Sequence, residues 1–239
     1  NRTWLAEHEA KMVLAAYGVP VVQTLLATTQ EEVISCAQQL LTDAENLVAI
    51  KIGSPHITHK SDVGGVVLNL ASVDEVSKAA EAMRERITEL RPDAEITGFT
   101  IQQMARRRDD FELILGLTTD AQFGPVILFG HGGTAVEQLD DKALALPPLN
   151  MLLARRLIER TRVYRLLQGY RDRPSVNMDA ICMTLIRLSQ LATDLPQIAE
   201  LDINPLLCDV DGVVALDARI RVAQPPPKGT QRLAIRPYP

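Results

Sequence analysis

Three oxygen-bearing side chains near the end of the chain are spaced so that they could bind one metal ion. Asp202 and Asn204 are two residues apart, and Asp217 follows a second apolar run beyond the sequence Asp-Val-Asp-Gly at 209–212. This sequence between two apolar segments predicts a β-hairpin, because glycine tolerates the positive φ that such a loop requires. Residues two apart on a strand share a face, so the three side chains would converge. A small set of oxygen ligands suits Mg²⁺, which takes its other ligands from water and phosphates. Taken alone, the pattern also fits a surface hairpin with solvated polar side chains.

A second group of candidate residues surrounds a glycine pair in the first half of the chain. Lys51 ends an apolar segment, and the loop after it carries His59 and Asp62 ahead of Gly64 and Gly65. Loops with many backbone N–H groups and flanking lysines can bind phosphate oxygens, although this order of residues does not match a P-loop. Lys51 equally fits a strand-end lysine that reaches solvent, and glycine pairs often serve only the backbone. His59 fits a phosphoryl acceptor or a base, or a loop histidine without a role.

The composition is that of an ordinary globular protein. Of 239 residues, 46% are hydrophobic and 23% charged, which allows a substantial core. A net charge of −5 and only 4% aromatic residues argue against a basic, base-stacking surface for nucleic acid. No apolar run reaches the length of a membrane span, and we expect no signal peptide. Cys36, Cys182 and Cys208 lie in apolar segments, which indicates reduced thiols in a cytoplasmic protein. The start at Asn1, without methionine, suggests a piece of a longer protein.

Apolar periodicity predicts that helices and strands alternate in both halves of the chain, which indicates a mixed α and β class. Thr28 or Thr29 and Ser72 are suited to cap the helices that follow them. The predicted helices are 5–17, 29–41, 72–90, 149–161 and 179–193, and the predicted strands are 21–27, 47–52, 66–70, 95–103, 111–117, 126–129, 135–139, 201–208 and 213–216.

In this order, the motifs resemble the ATP-grasp domain of the ADP-forming acyl-CoA synthetases. The resemblance is to their β-type subunit or domain, which is related to the β subunit of succinyl-CoA synthetase, and it spans about residues 5–222. The charged turn at 105–110 departs from the family, whose turn is usually shorter and has a glycine before the equivalent of Glu112. The matching runs are Glu9-Ala-Lys11 with Tyr17-Gly-Val-Pro20, Lys51 to Val66, Phe123-Gly-Pro125, Phe129-Gly-His-Gly-Gly133 with Glu137, Gly169-Tyr-Arg171, and Glu200-Leu-Asp-Ile-Asn-Pro-Leu206 with Asp217-Ala-Arg219.

The resemblance implies an α+β ATP-grasp fold in which two subdomains clasp a nucleotide. The first subdomain, with its preceding helix, would comprise residues 1–103, and the second, with the metal-site hairpin, residues 104–223. Residues 224–239 would be a proline-rich linker. The resemblance also implies roles for single residues: nucleotide contact for Lys51, Gly64, Gly65, Gln102, Gln103, Met104 and Glu112, binding of Mg²⁺ for Asn204, Asp217 and Asp202, and phosphoryl transfer for Arg219 and His59. The backbone near Gln102 to Met104 would meet the adenine.

In this family, a histidine of a partner CoA-binding part relays the phosphoryl group. Some members have a second histidine on the ATP-grasp part, and His59 matches that position. The chain would then hold the nucleotide half of the reaction acyl-CoA + ADP + phosphate ⇌ acid + CoA + ATP. CoA or acetyl-CoA would be bound through domains that are missing from this chain.

Residues 232–239 resemble the entry to an N-acetyltransferase domain of the GNAT type, as in bacterial protein lysine acetyltransferases that carry synthetase-like domains. They favour a nucleotide-binding regulatory domain of an acetyltransferase, with a CoA-binding domain and a GNAT domain in the same polypeptide. The alternative is a catalytically active β part of an ADP-forming acetyl-CoA synthetase. A ligase that makes acyl-phosphates for amide bonds is disfavoured by the runs at 59–62 and 169–171. We expect no nucleic-acid or membrane partner, and the sequence is compatible with a homo-oligomer.

Overall fold

Two separate hydrophobic cores divide the chain into two units. The computed structural model describes residues 3–43, 46–57, 60–105, 110–133, 141–169 and 173–224. The small unit is Val22–Arg106, and the large unit is formed by the described residues of Asn1–Val21 and Arg107–Pro239. No helix within these described ranges is long and apolar enough to cross a membrane.

The predicted alternation of helices and strands is present in both units, and most predicted ends differ from the observed ones by a few residues. Two strands that the pattern did not predict, Lys142–Ala145 and Ala218–Val222, are also present. The predicted strand at 135–139 lies outside the described residues. The elements are α1 (Glu7–Ala16), β1 (Thr24–Ala27), α2 (Gln30–Leu40), β2 (Val48–Gly53), a 3₁₀ turn (Lys60–Val63), β3 (Val66–Leu70), α3 (Val73–Leu90), β4 (Gly98–Gln103), β5 (Phe111–Asp120), β6 (Gly124–His131), β7 (Lys142–Ala145), α4 (Met151–Glu159), α5 (Tyr164–Leu167), α6 (Met178–Asp194), β8 (Ile198–Cys208), β9 (Val213–Ala215) and β10 (Ala218–Val222).

The small unit is a four-stranded antiparallel sheet with two helices on one face. Its strand order is β1-β4-β2-β3. The helices α2 and α3 begin at the predicted caps Thr29 and Ser72, whose side chains accept backbone N–H bonds from the first turn. Strand alternation sends Ile50, Phe99 and Ile101 into the core beneath the helices, so the residues between them face the other side of the sheet.

The large unit is built on a second antiparallel sheet, with strand order β10-β8-β5-β6-β7. β9 pairs with β8 beyond the end of β10, so both strands follow the same edge of β8. The helices α4 and α6 pack on one face, and Leu115, Phe129 and Ile203 of the sheet belong to the same buried core as Leu185 and Leu188 of α6. The opposite face of this sheet carries the polar residues described below.

The first helix belongs to the large unit, and this differs from the predicted boundary of 1–103. The side chains of Ala10 and Leu14 are fully buried in the core of the large unit, and the chain before α1 bonds to β10 through Leu5 N–H and the Ile220 carbonyl, at 2.9 Å. The apolar face of α1 therefore packs in a core that is built mostly from the second half of the chain. The buried Lys11 side chain forms an ion pair with Glu7 at 3.0 Å, which gives this motif lysine a structural role.

Candidate functional site

The predicted hairpin is present, and its first strand, β8, carries two of the predicted metal ligands. Strands β8 and β9 are joined by a turn in which Asp209 N–H donates to the Gly212 carbonyl at 3.0 Å. The carboxylate of Asp209 accepts the N–H groups of Asp211 and Gly212, both at 3.0 Å. The carboxylate of Asp209 therefore stabilises the turn itself.

Four polar residues lie together on the face of the large sheet that is opposite the core. Arg219 of β10 pairs directly with Asp202 of β8. One further step in the same register places Asp217 beside Asn204. The residue between the two polar positions of β8, Ile203, is fully buried in the core. Because side chains alternate along a strand, the four polar side chains share the other face, which we call the ligand face.

Glu112 and a glycine pair complete this group of residues. Gly133 N–H donates to Asn204 Oδ1 at 3.0 Å, and Gly132 N–H donates to the Glu112 carbonyl at 2.7 Å. The Glu112 carboxylate lies so close to Gly133 that a Cβ there would be 1.9 Å from Oε2. Gly133 has φ +79°, a conformation that favours glycine. Gly133 thus lies between Glu112 and Asn204 and contacts both. In the sequence, the only sign of this role is a Gly-Gly pair directly after a predicted strand.

The ligand face brings charges of both signs together around the partly buried Asp202. Burial raises the pKa of the Asp202 carboxyl, the Arg219 guanidinium opposes this shift, and the Asp217 carboxylate adds to it. Asp217 also accepts the N–H of Ala218 at 2.8 Å. Asn204 Oδ1 has two lone pairs, of which the bond to Gly133 uses one. Two carboxylates and an amide oxygen are hard ligands of the kind Mg²⁺ takes together with phosphates. Within the described ranges, no group of three His, Cys, Asp or Glu side chains could hold a metal.

A cavity of ≈300 Å³ opens beside the acid–arginine pair of the ligand face. Asp202 and Arg219 form its charged wall, and Trp4 and Leu117 contribute apolar surface. The remaining lining residues are Thr118, Glu200 and Leu201. The lining therefore carries two carboxylates, of Asp202 and Glu200, and one guanidinium, of Arg219, beside an apolar wall.

In the small unit, Lys51 lies on the sheet face that is opposite α2 and α3. It pairs with Thr100 of β4 on one side and with Val66 of β3 on the other. Thr100 and Gln102, two residues apart on β4, share this face with Lys51 and are both buried. A lysine among buried neighbours on a sheet face is suited to neutralise phosphate charge.

The structure gives Gly64 and Gly65 a different role from the predicted phosphate contact. Gly65 N–H donates to the Lys60 carbonyl at 2.7 Å, and Gly64 N–H donates to the Ser61 carbonyl at 3.1 Å. Both groups are therefore used inside the loop. A Cβ at Gly65 would lie 2.6 Å from Ile52 Cγ2 and 2.9 Å from the Lys60 carbonyl oxygen. The turn itself requires the glycines, and their N–H groups do not form a phosphate cradle.

The predicted adenine-contacting backbone is also partly used within the small unit. Gln103 N–H donates to the Gln23 carbonyl at 3.1 Å, and Met104 N–H donates to the Leu47 carbonyl at 2.8 Å. The Gln103 side chain reaches Asn46 Oδ1 at 3.4 Å. An adenine at this position would therefore have to use backbone carbonyls or another N–H group.

Several predicted residues lie outside the described part of the chain. They are His59, the turn residues 106–109, Glu137, Tyr170, Arg171 and the linker from residue 225 onward. Two other histidines, His56 and His131, lie within the described residues, and His56 accepts the Glu95 N–H at 3.0 Å. His131 pairs with the fully buried Leu113, and so lies on the core side of the large sheet, away from the ligand face.

Comparisons with known proteins agree with this architecture. A family model described as an ATP-grasp domain matches residues 1–222. The chain is 40% identical, over 223 residues, to the β subunit of the ADP-forming acetate–CoA ligase II of Pyrococcus furiosus, and the alignment covers 92% of each protein.

Solved structures of one archaeal enzyme are similar to the chain as well. The acetyl-coenzyme A synthetase 1 of Ca. Korarchaeum cryptofilum, in complex with coenzyme A, Ca-AMPCP and HgCl⁺, has a TM-score of 0.86 and 38% identity, covering 93% of this chain and 95% of that one. A second structure of it holds coenzyme A and Mg-AMPPCP, with its phosphohistidine segment pointing towards the nucleotide binding site. That structure has a TM-score of 0.79 and 36% identity, covering 93% and 94% of the two chains.

Proposed function

The chain belongs to the ATP-grasp domains of the ADP-forming acyl-CoA synthetase β subunits, and from this we propose that it forms the nucleotide-binding half of an ADP-forming acetate–CoA ligase. The observation that carries the proposal is the ligand face of the large sheet. There, Asp202, Asn204 and Asp217 offer oxygen ligands beside the guanidinium of Arg219. The similar β subunit of the Pyrococcus ligase supports acetate as the acid.

The residues present fit a magnesium nucleotide, and each has a distinct task. A bound Mg²⁺ would neutralise charge on the phosphate oxygens. Asn204 and Asp217 would hold the ion, with Asp202 as a further anionic group beside it. Arg219 would balance charge on the transferred phosphoryl group, and the family resemblance assigns Lys51 to the nucleotide phosphates. Such a site accelerates phosphoryl transfer mainly by positioning and by cancelling charge.

The group transferred is the terminal phosphoryl of ATP, and its acceptor is a histidine nitrogen. A P–N bond forms while the bond from phosphorus to the oxygen bridging the β- and γ-phosphates breaks, and ADP leaves with that oxygen. In the opposite direction, the same site makes ATP from ADP and phosphohistidine. We propose that a CoA-binding partner carries one such histidine and that His59 is the acceptor on this chain. The phosphohistidine segment of the similar archaeal enzyme supports this chemistry.

The regulatory interpretation, which residues 232–239 favoured in the sequence, is not supported by the comparisons, and the catalytic alternative agrees with them better. The idea of a sensing domain in a GNAT-type lysine acetyltransferase rests on residues 232–239, which lie outside the described residues. The family match ends at residue 222 and carries no information on them. The relatives reported above are ligases or synthetases, so we prefer turnover to sensing.

The acceptor role of His59 predicts a labelled protein. Incubation of the chain with [γ-³²P]ATP and Mg²⁺, with a CoA-binding partner polypeptide supplied, should yield acid-labile, base-stable label on the chain. His59→Ala should remove this label and leave the affinity for Mg·ATP unchanged within about twofold. His56→Ala is the matched control, because this nearby histidine is engaged by Glu95, and it should retain the label.

Two different results would count against these ideas. A wild-type chain that binds Mg·ATP but acquires no acid-labile label would refute the role of His59. A chain that binds neither Mg·ATP nor Mg·ADP in a calorimetric titration, with partner supplied, would refute the proposed function as a whole.

A further inference from the structure

The hydroxyl of Thr100 is buried and makes no hydrogen bond to any described residue. Thr100 is only 5% exposed. Burial of a hydroxyl without a partner costs on the order of 1–3 kcal/mol, and buried polar groups in native proteins almost always find a partner. An unpaired buried hydroxyl therefore requires an explanation. One explanation is that a ligand supplies the missing hydrogen-bond partner when it binds.

Other buried threonines of the chain show the usual arrangement. The hydroxyl of Thr184, whose residue is fully buried, donates to the Ala180 carbonyl at 2.9 Å. The hydroxyl of Thr161, 5% exposed, donates to the Ile158 carbonyl at 2.7 Å. Both lie on or beside helices, where a carbonyl one turn earlier is in reach. Thr100 lies on a strand, where the neighbouring carbonyls are turned towards the adjacent strands.

The position of Thr100 in the small sheet indicates which ligand would satisfy it. Strand β4 is central, and the register places Thr100 between Leu26 of β1 and Lys51 of β2. The longer side chains of these two neighbours flank the threonine on the face opposite α2 and α3. Two residues further along β4, Gln102 lies on the same face. The hydroxyl is thus the direct cross-strand neighbour of the lysine that is expected to bind phosphates, and it lies one row of side chains from the predicted adenine contact.

We propose that the Thr100 hydroxyl forms a hydrogen bond to the nucleotide bound at Lys51, and that it remains unsatisfied until the nucleotide arrives. This inference rests on the proposed nucleotide-binding function and adds a residue to it. An unsatisfied donor beside an ammonium group favours an anionic or acceptor-rich ligand, because such a ligand can accept a bond from the hydroxyl while it lies next to a positive charge. The unpaired hydroxyl destabilises the ligand-free protein and stabilises the complex. Removing the hydroxyl should therefore lower the affinity for the nucleotide and leave the stability of the ligand-free protein equal or higher.

The test replaces the hydroxyl with a methyl group of the same shape. Thr100→Val should weaken the binding of Mg·ATP and Mg·ADP to the 239-residue chain by at least about fivefold in calorimetric titration. The same variant, without ligand, should melt at the same temperature as the wild type or at a higher one, because it loses an unsatisfied polar group. Thr100→Ser keeps the hydroxyl and should keep the affinity within about twofold.

Thr184→Val is the matched control. It removes a buried hydroxyl that has a partner, so it should lower the melting temperature by about 2–4 °C, the shift expected for the loss of roughly one hydrogen bond in a chain of this size. Its affinity for the nucleotide should not change. Titration with magnesium tripolyphosphate locates the contact: a loss shared by this ligand assigns the hydroxyl to the phosphate end, and a loss confined to nucleotides assigns it to the adenosine end.

The inference would be overturned by a Thr100→Val variant that binds Mg·ATP as the wild type does. A variant that loses affinity and also melts lower by several degrees would overturn it too, since the hydroxyl would then be structural. If the wild-type chain binds no nucleotide even with a CoA-binding partner supplied, the proposed function is refuted and the inference with it. If the wild type binds and Thr100→Val binds equally well, only the inference is refuted.

Discussion

Asp217→Asn should weaken the binding of Mg·ATP by at least about tenfold, or roughly 1.4 kcal/mol. Asparagine has the shape of aspartate, and its oxygen can accept the bond from Ala218 N–H that Asp217 accepts at 2.8 Å. The amide nitrogen then takes the place of the second carboxylate oxygen, and its hydrogens repel a cation. One anionic ligand of a site that has few protein ligands is lost. Calorimetric titration of Mg·ATP and Mg·ADP measures the change.

The same substitution should not weaken the binding of metal-free ATP. When a chelator removes the metal, the carboxylate of the wild-type Asp217 repels the phosphates of ATP. The asparagine variant lacks this charge, so its affinity for metal-free ATP should be equal or higher. Asp179→Asn is the matched control, because Asp179 is an exposed acid of α6 that pairs with Arg155 away from the ligand face. It changes the net charge equally and should leave every affinity within about twofold. A variant at 217 that loses metal-free and magnesium-bound nucleotide alike would exclude Asp217 as a metal ligand.

Gly132→Ala should prevent the large unit from folding stably, with a loss of at least about 3 kcal/mol in the free energy of unfolding. A Cβ at this position would lie 2.4 Å from the carbonyl carbon and 2.7 Å from the nitrogen of Leu113. These are backbone atoms of a central strand that cannot move without disrupting its pairing with β6 and β8. Urea unfolding followed by circular dichroism measures the effect, and near-wild-type stability would contradict the close approach of the two segments.

Gly133→Ala should act on binding more than on folding. The added Cβ would displace the Glu112 carboxylate, which is a flexible side chain, and the left-handed φ costs about 1–2 kcal/mol. Gly18→Ala is a matched control, because Gly18 has the same φ of +79° and the three atoms nearest to a Cβ there all belong to the Arg187 side chain, the first at 3.3 Å. Both variants should lose similar stability, but only Gly133→Ala should lose affinity for Mg·ATP. If the Gly133→Ala and Gly18→Ala variants bind Mg·ATP equally well, Glu112 and Gly133 are not part of the nucleotide site.

The hairpin and the positions of its acids could be predicted from the sequence because both follow from local rules. A glycine-containing turn fixes the register of the two strands that it joins, and alternation then fixes which side chains share a face. The structure accordingly places Asp202 and Asn204 on one face and brings Asp217 next to them. Their role as metal ligands stays a prediction that the Asp217 variant tests.

Other features depend on contacts between distant segments and could not be read from local patterns. Gly133 acquires its importance from Glu112 and Asn204, which approach it from two other strands. Thr100 becomes notable only when its neighbours in the sheet are known. Conversely, the pair Gly64–Gly65 has the composition of a phosphate loop, but its N–H groups satisfy the loop itself. Amphipathic spacing predicted the existence of α1, but not which of two cores would bury it.

The chain order of the two units has a consequence for biosynthesis. The small unit is one continuous segment, Val22–Arg106, so it can fold as soon as it has left the ribosome. The large unit needs its first and last segments together: Val222 N–H bonds to the Thr3 carbonyl at 2.7 Å, and Ala215 N–H bonds to the Pro20 carbonyl at 2.8 Å. During vectorial synthesis, the apolar face of α1 therefore lacks part of its packing surface until β10, about two hundred residues later, has been translated. We expect nascent chains that stop before β10 to expose this helix to chaperones while already holding a finished small unit.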